Sequence, residues 1–429
     1  MLQAMLAGVA SIKAQQTRMN VIGNNLANIN TTAYKSSRVT FQDMIAQTVR
    51  GATRPSEGLG GINPTQFGLG VNVNGTDVNT SQGSLSATNR PTDLAIQGSG
   101  FFMVSNGSQI SYTRDGGFDL DSNGDIVNRA TGQRLLGWTA DANGNIDTTS
   151  PINATASLNI PLGLLNSVQA TTQMAFGGNL DASSDATATY VTQVTVYDGL
   201  GNSHDISIKF SNHAVPPTGT PPAGATSSWD WEAFEGTPDT GVSVGSSSSP
   251  GSAPLYFNDG GTLVNASGSF NINVPGTNGA SALPITMDLS RISNLNTTAQ
   301  VNAIGQNGFP PGSLSNFSIG ADGIVTGVFS NGLTRALGQI SMAVFPNEAG
   351  LERAGNNLWK DSDNSGLPVI GRPATAGRGA LSAGFLEQSN VDIGNEFSDL
   401  IITQRGFQAN TRVVTTVDEM MQDLINMKR

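Results

Sequence analysis

LQAMLAGVASIKAQQTRMNVIGNNLANI, residues 2–29, carries an apolar residue at every third or fourth step: Leu2, Met5, Val9, Ile12, Met19, Ile22, Leu26 and Ile29, with polar Gln16 breaking the series. That spacing draws one narrow apolar stripe along a single helix. The helix is expected to stop near Asn28 to Thr32, where Asn and Thr side chains compete for backbone hydrogen bonds. Near the other end Ile393, Phe397, Leu400, Gln404, Phe407, Val414, Val417, Met421 and Leu424 repeat the same spacing. Ser389 precedes Asp392 by three residues there, the pattern of a capping box. A second helix of about forty residues follows, and at 1.5 Å per residue the two run to roughly 43 and 57 Å. Both exceed the ~11–12 residues of an average globular helix.

Between the ends the period changes to two. Short alternating runs lie at Gly100–Val104, Ile110–Arg114, Phe118–Leu120, Arg134–Trp138, Ile324–Phe329 and Gln339–Phe345. Asn-Gly and Asp-Gly pairs, which accept the positive φ of a type I′ turn, occur eleven times, all between Asn74 and Gly332. The middle is therefore read as antiparallel β. Asn212–Pro254 holds seven of the chain's 19 prolines and few apolar residues, and is expected to be long surface loops.

Composition narrows the function. The 429 residues allow about three domains at ~150 residues each. Charged residues make up 12% and there are 52 glycines, so salt-bridge networks will not carry the fold. A net charge of −11 removes the attraction on which non-specific nucleic-acid binding relies, so no nucleic-acid partner is expected. The acids concentrate in Leu135–Ser290, where twelve face the single base Lys209. Without cysteine, disulfides, thiolate nucleophiles and Cys-ligated metals are excluded, and two histidines leave little for a metal cage. No run of 18 apolar residues exists, so no transmembrane helix is expected. Met1–Ala10 is apolar but lacks a positive start and is interrupted by Gln3 and Gly8, unlike a cleaved signal peptide.

Candidate chemistry is thin. Ser203, His204 and Asp205 have the residue types of a hydrolase triad, but neighbours on a strand alternate faces, so surface polar residues are the expected reading. His213 lies in loop-like composition without an obvious charged partner. Asp119–Asp125 mimics the start of a calcium loop, yet Ala130 stands where a bidentate Glu is needed, which favours a hairpin turn. Asp361–Gly366 reads as a similar polar turn. Trp138 and Trp359 are assigned to a β core, Trp229 and Trp231 to local packing. No catalytic, cofactor or metal residues are assigned, and no enzyme is expected.

The helices' stripes need burial. They satisfy it as an intramolecular hairpin, by packing on the β body, or through neighbouring copies that complete a core too small to stand alone. The third option makes the chain a polymer subunit whose self-assembly seam is Leu2, Met5, Val9, Ile12, Met19, Ile22 and Leu26 with Phe397, Leu400, Phe407, Val414, Val417, Met421 and Leu424. Charge is compatible with such pairing: residues 1–50 carry five bases and only Asp43, while residues 390–429 carry six acids and four bases.

Leu26-Ala27-Asn28-Ile29-Asn30-Thr31-Thr32-Ala33-Tyr34-Lys35, followed by Phe41-Gln42-Asp43, resembles the amino-terminal motif of the bacterial flagellar rod and hook axial proteins. Gly98-Ser99-Gly100-Phe101-Phe102-Met103-Val104 with Tyr112-Thr113-Arg114-Asp115-Gly116 resembles that family's β motif. Leu386-Glu387-Gln388-Ser389-Asn390-Val391-Asp392 with Gln404-Arg405-Gly406-Phe407-Gln408-Ala409-Asn410 is similar to its carboxy-terminal helix. Within the family, Val196–His204, Gly320–Gly327 and Leu337–Ile340 resemble the hook branch, and distal rod proteins lack the acidic insert.

The resemblance implies a mainly β fold with long terminal α-helices and nested, discontinuous domains. Residues 1–70 and 386–429 would form the terminal coiled-coil region with its linker, 71–145 and 311–385 an inner β domain, and 146–310 an outer inserted β domain. It implies a homopolymer of the bacterial flagellum, a curved tube acting as a universal joint that passes torque from rod to filament. By the same resemblance the partners are the distal rod, the hook cap, the hook-filament junction proteins and the export apparatus. The location is extracellular, with export that removes no signal peptide, and no cofactor is expected. A distal rod-like subunit and a secreted monomeric β-rich binding protein are the alternatives.

Overall fold

The computed structural model describes residues 2–55, 60–141, 144–160, 166–249, 252–265 and 268–427. The protein is mainly β with one helix at each end: α1, Leu2–Ala27, and α2, Ile393–Asn426. α1 stops where Asn28 turns its side-chain amide onto the Asn24 carbonyl at 2.9 Å, the backbone competition expected of that segment. α2 has 34 residues, shorter than its periodicity suggests, and Asp392 caps it by accepting from the amides of Gly394 and Asn395. Ser389 is not the cap; its hydroxyl accepts from the Val391 amide at 3.3 Å.

The chain folds into two compact units. Unit 1 contains 1–160, 318–326 and 336–429. After α1 two β ribbons form, Ser37–Asp43 against Val71–Val78 and Ala46–Arg50 against Thr65–Gly68, where sequence spacing marks no element. The principal sheet of this unit runs Glu352–Gly355, Leu358–Lys360, Ile110–Thr113, Phe101–Ser105, Arg134–Leu135, Ile126–Asn128, Phe118–Leu120. Met342–Val344 adds to Phe101–Ser105 and pairs with Val369–Gly371. Phe101, Met103, Tyr112, Trp138, Phe345 and Trp359 share its core, so the two tryptophans lie where the alternation puts them.

Unit 2 contains 161–317 and 327–335. One sheet orders Ser269–Val274, Leu283–Leu295, Gln173–Asp181 and Gln300–Gln306. The other orders Tyr190–Tyr197, Ser203–Ala214, Ser227–Glu235 and Val242–Ser246, with Leu255–Phe257 also on Ser227–Glu235. Their apolar faces share one core around Trp229, Trp231, Phe176, Phe210, Phe257 and Met287.

Two expectations fail here. Asn212–Pro254 is not a run of loops: Ser227–Glu235 is a strand paired with three neighbours, and Val242–Ser246 is another. The described prolines of this segment sit between the strands, while Trp229, Trp231 and Ala233 alternate inward and are fully buried or nearly so. The β body is also not wholly antiparallel, because Gln173–Asp181 runs parallel to Leu283–Leu295.

Candidate functional site

The terminal helices meet in unit 1 as an antiparallel pair, and small and polar residues make much of the contact, with Val414 packed on Gly8. Asn410 donates to the Ser11 hydroxyl at 2.6 Å, Arg18 pairs with Asp399 at 3.0 Å, and Asn25 donates to Glu396 at 2.9 Å. A Cβ built on Gly8 would lie 3.1 Å from a Val414 methyl, and one on Gly406 would lie 3.2 Å from the Gln15 amide nitrogen. Glycine at both positions permits the backbones this approach. Ala14 and Thr403 are buried along the same line. Burial raises the Glu396 pKa, against the opposing hydrogen bond from Asn25. The Arg18 and Asp399 side chains stay 29% and 50% exposed, so that pair is worth at most ~1 kcal/mol.

The expected seam residues are divided by this arrangement. Ile22 and Val417 are buried. Met5, Ile12, Met19, Leu26, Leu400, Phe407 and Val414 are half-buried. Val9, Phe397, Met421 and Leu424 are exposed. Leu2 lies in α1, with its side chain outside the described residues. Ile393, which opens the spacing series of α2, is also exposed, and so are large apolar residues that the periodicity did not select: Leu6, Ile401, Ile402, Val413, Met420 and Ile425. Sequence reasoning ranked residues by apolar character and so missed Gly8, Ser11, Thr403, Gly406 and Asn410, which form much of the contact. Their signal was the spacing of Gly8, Ser11, Gln15 and Arg18, which marks a second stripe of α1 beside the apolar one.

The polar candidates take structural positions. Ser203 and Asp205 are exposed and His204 is buried between them, so they form no Ser-His-Asp chain and His204 is not a surface residue. Its Nδ1 lies 2.5 Å from Glu235 and its Nε2 3.4 Å from Asp198. Burial lowers the His204 pKa, but hydrogen bonds and charge from the two carboxylates outweigh it and leave the value raised. His213 lies one residue before the end of the strand Ser203–Ala214 rather than in a loop, stacked on Trp229 at 4.8 Å with Nδ1 2.8 Å from the Ser184 carbonyl oxygen. Asp121 closes the turn between Phe118–Leu120 and Ile126–Asn128 by accepting from the Asn123 and Asp125 amides. Among the described residues no group of three or more His, Cys, Asp or Glu is arranged to hold a metal ion. Among the same residues no helix is long and apolar enough to cross a membrane.

Four family models match the chain in order. They are a flagella basal body rod protein model at residues 5–35, the flagellar hook protein FlgE/F/G D1 domain at 95–172, the flagellar basal body protein FlaE D2 domain at 164–309, and the flagellar basal body rod FlgEFG protein C-terminal model at 382–427. The chain is 36% identical to the flagellar hook protein FlgE of Treponema pallidum, over 100% of both chains. It is also 36% identical to that of Borreliella burgdorferi, again over 100% of both. Among solved structures, Helicobacter pylori flagellar hook protein FlgE2 shares the fold with a TM-score of 0.50 at 14% identity, covering 71% of this chain and 100% of that one.

Proposed function

The chain belongs to the flagellar hook protein family, and on that premise we propose that its terminal helices act as the self-assembly element of a hook subunit. The observation that carries this reading is the division of the helix surfaces. Small and polar residues join α1 to α2, while Phe397, Ile401, Ile402, Val413, Met420, Leu424 and Ile425 face away from that contact, exposed in the single chain. An apolar helix face of this extent needs a cover. In a homopolymer the cover is the helix pair of sibling subunits, and the pair becomes one strand of a larger coiled-coil tube.

The nested organisation follows on this reading: residues 1–70 and 386–429 as the tube-forming part, 71–145 and 311–385 as an inner β domain, and 146–310 as an outer one. Close-packed helices supply stiffness in twist. Bending calls for outer contacts that lengthen and shorten as a curved tube rotates, and an acidic surface rich in Gly, Ser, Thr and Asn offers hydrated contacts without deep anchors. The expected neighbours are the distal rod, the hook cap and the hook-filament junction proteins, reached outside the cell through the flagellar export apparatus without cleavage of a signal peptide.

Negative-stain microscopy of concentrated, salted-out full-length protein tests the proposal. Tubes or curved segments are expected; discrete particles at every concentration would reject it.

A further inference from the structure

Three ionisable side chains, far apart in sequence, meet in the interior of unit 1. Glu387 is fully buried, and Lys35 and Arg114 each have a side-chain exposure of 3%. The Glu387 carboxylate accepts from Lys35 Nζ at 2.6 Å, from the Gly83 amide at 2.9 Å and from Arg114 at 3.5 Å. Lys35 follows the end of α1, Glu387 precedes the start of α2, and Arg114 follows the sheet strand Ile110–Thr113. The cluster therefore sits at both helix roots and on the sheet at once.

The backbone around it is knitted to match. The Ala33 amide donates to the Glu387 carbonyl, and Phe385–Glu387 pairs with Leu85–Ala87. Asn390 accepts from the Ser36 amide at 2.8 Å and donates to the Asn79 and Ser81 carbonyls. Lys35 Nζ also donates to the Ser81 carbonyl. A Cβ on Gly83 would fall 2.0 Å from the Gln388 carbonyl oxygen, so only glycine lets these two strands close. Arg353 lies 5.2 Å from both the Tyr34 and Trp359 rings and donates to the Lys35 carbonyl and the Ser37 hydroxyl, pinning the α1 root to the sheet a second time.

Stability alone does not account for three buried charges. Desolvating them is costly, and well-packed apolar residues of similar volume often hold a fold equally well or better. What such residues lack is direction, because a carboxylate with three donors fixes where each donor's backbone must lie.

We propose that Glu387, gripped by Lys35 and Arg114, is a positioning residue that locks the roots of α1 and α2 to the sheet, so that the helix pair enters the polymer as one rigid lever. This rests on the self-assembly reading above. With the lock intact, sibling subunits meet a helix pair of fixed bearing; without it, the pair swings on its two connecting segments and the apolar faces of neighbours no longer register.

Two full-length variants test it. Lys35→Met with Arg114→Met and Glu387→Met removes the charges while keeping the interior filled. It is expected to melt within a few degrees of the wild type, to exchange the Ala33 and Asn390 amides at least tenfold faster, and to need at least tenfold more protein to polymerise. A triple variant that polymerises at the wild-type concentration with the wild-type curvature overturns the proposal. Glu387→Gln keeps the side-chain shape and is read by amide exchange in the monomer, which serves even if the triple variant does not fold. Faster exchange confined to the two root segments is expected, and unchanged exchange there overturns the proposal. If the wild type itself forms no polymer, the self-assembly reading fails, while the exchange measurement still decides the lock.

Discussion

Replacing Gly8 by leucine probes the contact that brings the terminal helices together. A Cβ at Gly8 would stand 3.1 Å from the Val414 methyl and 3.8 Å from the Asn410 carbonyl oxygen. Carbon atoms prefer ~3.5–4.0 Å, so even the first added carbon is several tenths of an ångström too close. Val414 is β-branched and has little rotamer freedom with which to retreat. Overpacking of this kind costs about 1–3 kcal/mol. Removing a helix-interior glycine returns up to about 1 kcal/mol. Repulsion should win by about 1–2 kcal/mol for leucine, which raises the critical concentration for polymerisation roughly 5- to 30-fold at 1.4 kcal/mol per decade. For Gly8→Ala the two effects nearly cancel. Sedimentation of polymer from a concentration series reads the shift, and the helicity of a peptide of residues 1–30 provides the control. Both substitutions should raise peptide helicity, so a loss of assembly in Gly8→Leu would come from the interface. Assembly of that variant at the wild-type critical concentration would refute the reasoning.

Other parts of the chain answer separately. Trp231→Ala should destabilise unit 2 by about 3–5 kcal/mol in denaturant melts, because it empties the middle of the shared core; a smaller loss would mean the site collapses. His204 has its pKa raised in the fold, so its contribution is complete below about pH 6.5 and fades as pH rises through the folded value. Asp198 is lowered, against its burial, by hydrogen bonds from Asn202, so its contribution is present above about pH 3.8 and fades as pH falls. Urea midpoints of unit 2 should therefore decline on the alkaline side, and His204→Gln should flatten that decline; a parallel profile in the variant would contradict the assignment. Deleting residues 1–30 should leave a soluble protein that forms no polymer, measured by sedimentation, and persistent tubes would count against the seam.

Periodicity reached the two helices because each is long and local: the stripe from Leu2 to Ile29 and the Asn28 turn were visible without any partner. The alternating runs at Phe118–Leu120 and Ile324–Phe329 were equally local and correspond to strands with those bounds. What escaped was non-local or masked by averaging. Trp-Asp-Trp-Glu-Ala-Phe, residues 229–234, alternates plainly, but the prolines and serines around it made the whole segment resemble a loop. The parallel pairing of Gln173–Asp181 with Leu283–Leu295 has no signature in either strand alone. In the helix contact, Gly8, Thr403 and Asn410 matter because they are small or polar, the opposite of what an apolar count selects. The Lys35 and Glu387 pair spans 352 residues, and nothing in the local sequence of either residue marks the other as its partner.

Amide exchange on the full-length chain, dilute and then polymerised, measures the assembly claim directly. Residues 2–27 and 393–426 are expected to exchange several-fold faster in the dilute monomer than in the tube, where sibling helices cover their outer faces. Full protection of both helices already present in the dilute chain, unchanged on polymerisation, would contradict it.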